Sequence, residues 1–592
     1  MSVFPFHSFS VIEGSRTTKY LHVITENYGD FGIYCTLVLQ QNHFENFCIM
    51  STLPAIETRK KQRITVEKNI KDRKHSDILL GDGNLKPDRL WEVAALANAA
   101  SRRISIDIAP EAEQSILKSR QFLEKLIEDG EPVYGINTGF GYFADRRIDQ
   151  EQLVELQVNI VRSHCCNVGT PLSRDIVMGM VLVTLNKLCQ GHSGIRLSTI
   201  QHLIKTLEAG ILAVVPSRGS VGASGDLSPS AHAARLLLGE GRCTVPHGNG
   251  FVEKTAAEAL QEHGFSPLLL GPKEGLSLVN GTAQSTILAV KAWYEGRHLL
   301  HVANAVTALA FEAMGATPKI FSPTVLKLHR HAGTLECGRE VYRYLDNGKP
   351  SEMGQRHLDD QWIQDPYSFR CVPQVHGAVW EDLQHAEQVL ADEVNAASDN
   401  PLIVTDDELN GEVFNCGHFH AIYPARVSDK IASAMTTLAS ISERRINHAM
   451  CAKRKHLPTF LVEEGGLNSG FMMAHVTAAA LVSECQSLCM PASVNSIPTN
   501  IQQEDHVSMG PIAGFKALQI IENLRNVLAI ELLCMAQGID LQRPMQSTPA
   551  VEELWQKVRD CVPKLDKDRS LAEDIQKVSA AIAEGKIVDF QR

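Results

Sequence analysis

Residues 511–538 read PIAGFKALQIIENLRNVLAIELLCMAQG. Pro511 suits the first turn of a helix and Gly538 the position just past its end. The pattern therefore predicts one long apolar-rich helix over Ile512–Gln537. Val427, Ile431, Met435, Leu438 and Ile441 fall at i, i+4, i+8, i+11 and i+14, one face of a second helix. Similar patterns predict helices over 178–190, 374–396 and 469–490. Strand signals after residue 79 are few and short, and there is no internal repeat or low-complexity tract. The expected fold class is mostly α, a bundle of long helices whose loops carry the chemistry.

The chain has 592 residues, 44% of them hydrophobic, enough for a large core and more than one domain. A net charge of -11, with no long run of one sign, argues against a nucleic-acid or anionic-membrane partner. No apolar stretch is long enough to span a bilayer. The N-terminus lacks a basic segment followed by an apolar one, so secretion is not indicated. Fourteen cysteines without CxxC spacing fit reduced thiols in the cytoplasm.

Residues 1–78 are set apart as an N-terminal extension of unassigned role. They mix β-like pieces, YLHVI (20–24) and GIYCTLVLQ (32–40), with the basic run TRKKQRITVEKNIKDRKHSD (58–77), read as a solvated linker. The rest divides into a catalytic region (79–330), a central long-helix bundle (331–545) and a C-terminal helical segment (546–592).

Three glycine-containing loops punctuate the helices: YGINTGFGYFA (134–144), GSVGASGDLSP (219–229) and NGTAQ (280–284). Residues 139–144 match GxGxxA, but neither a strong strand nor a βαβ pattern surrounds them, which sets dinucleotide binding aside. Ser224 is not in a GxSxG elbow, because Asp226 stands two residues on. The pairs His329/His331 and His418/His420 lack Cys or carboxylates at ligand spacing and read as ordinary polar histidines, with no metal expected.

Ala223-Ser224-Gly225 admits a different chemistry. Gly225 offers an amide nitrogen unobstructed by a Cβ, Ala223 a carbonyl with little around it, and Ser224 a β-hydroxyl that can leave as water. Cyclisation with loss of two waters makes a five-membered imidazolone bearing an exocyclic methylidene, an electrophile that the ordinary side chains lack. Ala-Ser-Gly alone is common in loops, so the weight falls on the whole run GSVGASGDLSP.

That run resembles the active-site loop of the aromatic amino acid ammonia-lyases, which build 4-methylideneimidazol-5-one (MIO) from Ala-Ser-Gly. The resemblance extends from about residue 79 to the C-terminus. It runs in order through VYGINTGFG, NIVRSH, GSVGASGDLSP, KEGLSLVNGTAQ, QDPYSFRCVPQVHG, SDNPL, ISERRI, FLVEEGGLNSGFM and QEDHVSMG. PQVHG and YPAR look most similar to the histidine-acting, eukaryotic-type branch. The resemblance implies a long-helix bundle of the ammonia-lyase/fumarase-like type with a loop-rich MIO-bearing region. It also implies a homotetramer whose sites draw loops from several subunits, and no external cofactor.

Residue roles follow from the same resemblance. Ala223, Ser224 and Gly225 would form MIO, which takes the substrate's α-amino group. Tyr134 matches the loop tyrosine that removes the β-proton; a free phenol has a pKa near 10 and needs nearby donors or positive charge to act near neutrality. Arg370 fits the substrate carboxylate through its planar fork. Asn280, Gln364 and Tyr367 match polar positions around substrate and MIO, and Phe419 an aromatic close to the electrophile. His164, Met472 and Glu504 bear on specificity. A carboxylate at 504 pairs with an imidazole N–H, whereas facing a phenyl ring it would go unpaired at a cost of several kcal/mol. Glu504 therefore favours histidine as the substrate, giving trans-urocanate and ammonia.

Cys165, Cys166 and Asn167 depart from the family pattern, as do His418 and Ile422, and are read as neutral variation around the pocket. Two alternatives stay open: another aromatic amino acid lyase or aminomutase, and a silent protein that keeps the fold.

Overall fold

The computed structural model describes the strands His22–Glu26 and Tyr34–Val38, and residues 76–589 apart from Glu131, Asn347, Pro350, 357–362 and 452–456. Contacts divide the chain into two units, Met1–His75 and Ser76–Arg592. In the first, the two strands pair antiparallel with His22 opposite Val38; Tyr34–Val38 falls within the second β-like piece, and His22–Glu26 overlaps the first and runs two residues past it. The basic run 58–77 lies outside the described residues except for Ser76 and Asp77.

The second unit is helical. In chain order, its main helices are α1 (Leu153–His164), α2 (Arg174–Cys189), α3 (Leu227–Arg235), α4 (Glu274–Val279) and α5 (Ala283–Met314). They continue with α6 (Val372–Val394), α7 (Ile422–Met450), α8 (Met472–Leu488) and α9 (Gly510–Asp540). Each predicted helix exists, with ends moved by a few residues. Apolar residues on every side of α5 and α9 make them the interior of the bundle, since such a helix must be surrounded. α7 lays its 427–441 stripe against them, and α6 and α8 complete the packing.

Gly538 does not follow helix α9 but lies inside it. A Cβ there would come 3.1 Å from the Ala313 Cβ, so this glycine serves close approach of α9 to α5 rather than a helix stop. Polar pins cross the same core. The Trp293 indole N–H on α5 donates to Leu383 O on α6 at 3.1 Å. Arg445 on α7 forms a buried bidentate pair with Glu531 on α9, and also donates to Ser368 O. That second bond ties the turn Tyr367–Arg370 to the bundle.

Short strands frame the loops. Val168–Pro171 pairs antiparallel with Pro216–Arg218, and Leu212–Ala213 extends the hairpin Arg242–His247/Gly250–Thr255. The segment 219–226 is thus held by a strand before it and by α3 after it.

Candidate active site

Gly222 and Gly225 both adopt left-handed backbone, at φ 69° and 77°. A Cβ on Gly225 would fall 2.1 Å from Gly281 O and 2.9 Å from Phe419 O, and one on Gly222 would fall 2.0 Å from Ser508 Oγ. Only glycine satisfies both the angle and the space. Asp226 N–H donates to Gly281 O at 2.7 Å, binding the loop to the NGTAQ turn. On the other side, Met509 N–H donates to Val221 O at 2.9 Å and Ser508 Oγ to Gly222 O at 3.2 Å. Ala223 and Val221 pack on a small apolar cluster that includes Ala425, Val507, Met509 and Ala513. The chain is therefore compressed around Ala223-Ser224-Gly225 from three sides.

Ser224 Oγ donates to Glu504 Oε1 at 3.0 Å, and Thr499 Oγ1 donates to the other carboxylate oxygen at 2.6 Å. The half-buried Tyr134 hydroxyl accepts from Gly141 N–H at 3.3 Å. Burial raises its pKa, the Gly141 donor pulls it down, and the charge of Glu504 raises it again, so it stands above its ordinary value. A Cβ on Gly141 would fall 2.2 Å from Asn500 Nδ2, so the tyrosine loop rests on the segment that carries Glu504.

His164 ends α1, with Nδ1 2.7 Å from Ile160 O. A carbonyl only accepts, so Nδ1 carries the hydrogen and Nε2 is left as an acceptor. Burial lowers the His164 pKa, while Ile160 O and the Glu504 charge oppose it; the net shift is downward and keeps the ring neutral at pH 7. Tyr134, His164, Ser224, Glu504 and the Phe419 backbone are thus brought together.

Asn280 stands just behind. Its Nδ2 donates to Asp399 Oδ1 and Asn400 O, both at 3.2 Å, so the amide is already engaged. Gln364, Tyr367 and Arg370 stand in and just before the turn Tyr367–Arg370, and Met472 opens α8. Arg370 Nε donates to Asp365 O at 3.1 Å, and its guanidinium sits over the Tyr367 ring. Tyr367 is 70% exposed. Among the described residues, no hydrogen bond joins these four to Tyr134, His164, Ser224 or Glu504.

The unusual Cys165-Cys166-Asn167 step seats the loop from below. Asn167 Nδ2 donates to Pro216 O at 2.7 Å, its N–H to His232 Nε2 at 3.3 Å, and Cys166 N–H to Ser228 Oγ at 3.2 Å. Burial pushes the Cys165 thiol up to about 11, so it is no nucleophile at neutral pH. His418 is exposed, and Ile422 opens α7.

Sequence reasoning passed over Asp226, although it follows Gly225 directly. It is fully buried and accepts from Ser285 N–H at 2.7 Å and from Ser285 Oγ and Ser220 Oγ at 3.1 Å. Burial pushes its carboxyl up to about 6 against those donors. Between the ordinary value near 4 and about 6, the folded protein holds a proton that the unfolded chain has released. Folding stability from this group therefore falls as pH rises through that window. Asp226→Asn removes the slope, so the stability of wild type minus that of the variant decreases from pH 4 to 6 in denaturant unfolding. A difference that rises instead contradicts the assignment.

The model of the family described as aromatic amino acid lyase matches residues 91–560. Histidine ammonia-lyase of Homo sapiens is 42% identical over 493 residues, 83% of this chain and 74% of that protein. The crystal structure of histidine ammonia-lyase from Trypanosoma cruzi superposes with a TM-score of 0.77 at 39% identity, covering 86% of this chain and 94% of that one. Tyrosine aminomutase from Streptomyces globisporus gives 0.79 at 33% identity, covering 86% and 97%. With that match over most of its length, this chain belongs to the aromatic amino acid lyase family.

Proposed function

We propose that this chain deaminates L-histidine without oxidation, giving trans-urocanate and ammonia. The observation that carries the reading is Glu504: its carboxylate takes the Ser224 hydroxyl at 3.0 Å, and its charge reaches Tyr134 and His164. A carboxylate at that point matches an imidazole N–H on a substrate and mismatches a phenyl ring.

Ala223, Ser224 and Gly225 fit an MIO group, because the Gly225 position leaves no room for a Cβ and Ala223 adds only a methyl. MIO supplies an electrophilic carbon for the substrate's amino group, which then departs as ammonia. The surrounding residues bind, orient and move the proton. Tyr134 takes the β-proton onto its hydroxyl oxygen. His164 offers Nε2 as an acceptor toward the substrate's ammonium or imidazole N–H. Phe419 lines the loop. Asn280 braces it from behind, through Asp399 and Asn400.

Arg370, Gln364, Tyr367 and Met472 join the site from neighbouring subunits of a homotetramer. The apolar surface fits such an assembly: Leu467 is 81% exposed, Ile501 75% and Met473 60%. The cysteines described are free thiols and no described helix is long and apolar enough to cross a membrane, in keeping with a cytoplasmic enzyme. The division into a catalytic region, a central bundle and a C-terminal helical segment belongs to the same proposal.

Glu504→Gln tests the substrate. Loss of one hydrogen bond to a charged group is worth about 1.5–3 kcal/mol, so kcat/KM for L-histidine falls about ten- to a hundredfold. Turnover of L-phenylalanine holds or rises. Unchanged histidine turnover contradicts the reading. The likeness to tyrosine aminomutase supports a second one, return of ammonia to the β-carbon, which a β-amino acid product would reveal.

A further inference from the structure

We infer that Lys187 is a positioning residue for the 223–225 loop: its buried ammonium fixes the Asn280–Gly281 turn against which Gly225 is pressed. The inference rests on the MIO reading above and deepens it.

Lys187 lies on α2, in the run TLNKLCQ, with α2 buried along nearly its whole length. It is 4% exposed. Its Nζ donates to Ser277 O and to Asn280 O, both at 2.6 Å. Ser277 lies in the last turn of α4 and Asn280 is that helix's C-cap, so an ammonium here satisfies carbonyls that the helix leaves unpaired and meets its negative end. A Cβ on Gly281 would fall 3.3 Å from Lys187 Cδ, so the lysine stem also walls the glycine in. Gly281 O is the atom that takes Asp226 N–H and that a Cβ on Gly225 would meet at 2.1 Å. The chain of contact from ammonium to reacting loop is therefore Lys187, Asn280, Gly281, Gly225.

The described hydrogen bonds of the ammonium go to carbonyls and not to a carboxylate. The buried Asp399 beside it is already bonded to Lys273 Nζ at 3.0 Å and to Asn280 Nδ2. Two buried ammoniums share one carboxylate, and burial pulls Lys187 down to about 8. A lysine kept in so unfavourable a place, with both described hydrogen bonds on one turn, serves that turn.

The step that benefits is ring closure. Gly225 N bonds to Ala223 C. The Ala223 oxygen leaves as water with hydrogens from Gly225 N and Ser224 N, and the Ser224 hydroxyl leaves as water with the Cα hydrogen. Closure needs the Gly225 nitrogen held toward Ala223, and Gly281 is the surface that holds it.

The test is Lys187→Met, purified as the folded full chain. Peptide mass across residues 216–235 reads the fraction of chains that have lost two waters, and steady-state kinetics with L-histidine reads kcat and KM. We expect that fraction to fall, and kcat per chain to fall about ten- to a hundredfold with KM within a few-fold. A residue that only stabilised the fold would lower the yield and leave the surviving folded chains fully closed. Lys187→Gln, which can still donate to one carbonyl, gives an intermediate fraction and covers the case where the methionine variant does not fold. Wild type that has lost two waters beside variants equally closed and equally active overturns the role of Lys187 alone. Wild type that has lost no water overturns the MIO reading beneath it.

Discussion

Ser224→Ala yields a folded protein whose turnover of L-histidine is lower by at least about a thousandfold, about 4 kcal/mol of barrier. Alanine has no β-oxygen to lose, so the methylidene carbon cannot form. Nothing else on the loop can replace it: Gly225 has no side chain, Ala223 has a methyl, and Ser220 Oγ is bonded to Asp226 Oδ1 at 3.1 Å. The fold survives because the pins on the loop are backbone ones. Asp226 N–H to Gly281 O and Met509 N–H to Val221 O do not involve residue 224. Only the bond from Ser224 Oγ to the Glu504 carboxylate is lost, worth about 1.5–3 kcal/mol. Thermal unfolding within a few degrees of wild type, beside absent turnover, is the expected pair of results. Retained turnover would show that the electrophile is not made here.

Tyr134→Phe lowers kcat by about 10²–10⁴-fold, the usual worth of a positioned base, with KM within a few-fold. The ring keeps its packing and loses only the hydroxyl that accepts from Gly141 N–H. The pH profile separates a base from a spacer. Burial and the Glu504 charge hold the phenol above its ordinary value, so its ionised form is scarce at pH 7 and grows tenfold per pH unit. Wild-type kcat therefore rises with pH above neutrality, and the rise disappears in Tyr134→Phe. Equal profiles in the two proteins would remove Tyr134 from proton transfer.

The helices were legible because burial enforces a period. The stripe from Val427 to Ile441 leaves α7 one orientation against α9. Gly538 was misplaced because a glycine that ends a helix and one that lets two helices touch look the same in one dimension; Ala313 tells them apart. Within the site, Tyr134, His164, Ser224 and Glu504 could be chosen from their motifs, and all four share Glu504's neighbourhood.

Other features needed three dimensions. Asn280 in VNGTAQ matches a polar position around substrate and MIO, but SDNPL, more than a hundred residues on, supplies the Asp399 and Asn400 that hold it. Lys187 reads as one lysine in an apolar helix, and only the fold shows its ammonium at the end of α4. Arg370 was selected for the planar geometry of guanidinium and carboxylate. In the folded chain its guanidinium instead sits over the Tyr367 ring and its Nε donates to Asp365 O.

The central claim is tested most directly by incubating the purified protein in parallel with L-histidine, L-tyrosine and L-phenylalanine. The unsaturated acids are followed by near-UV absorbance, and ammonia is measured alongside. The prediction is urocanate and ammonia in equal amounts from L-histidine, at a rate well above that with the other two. Product from L-phenylalanine but not from L-histidine, or no product from any of the three, would contradict it.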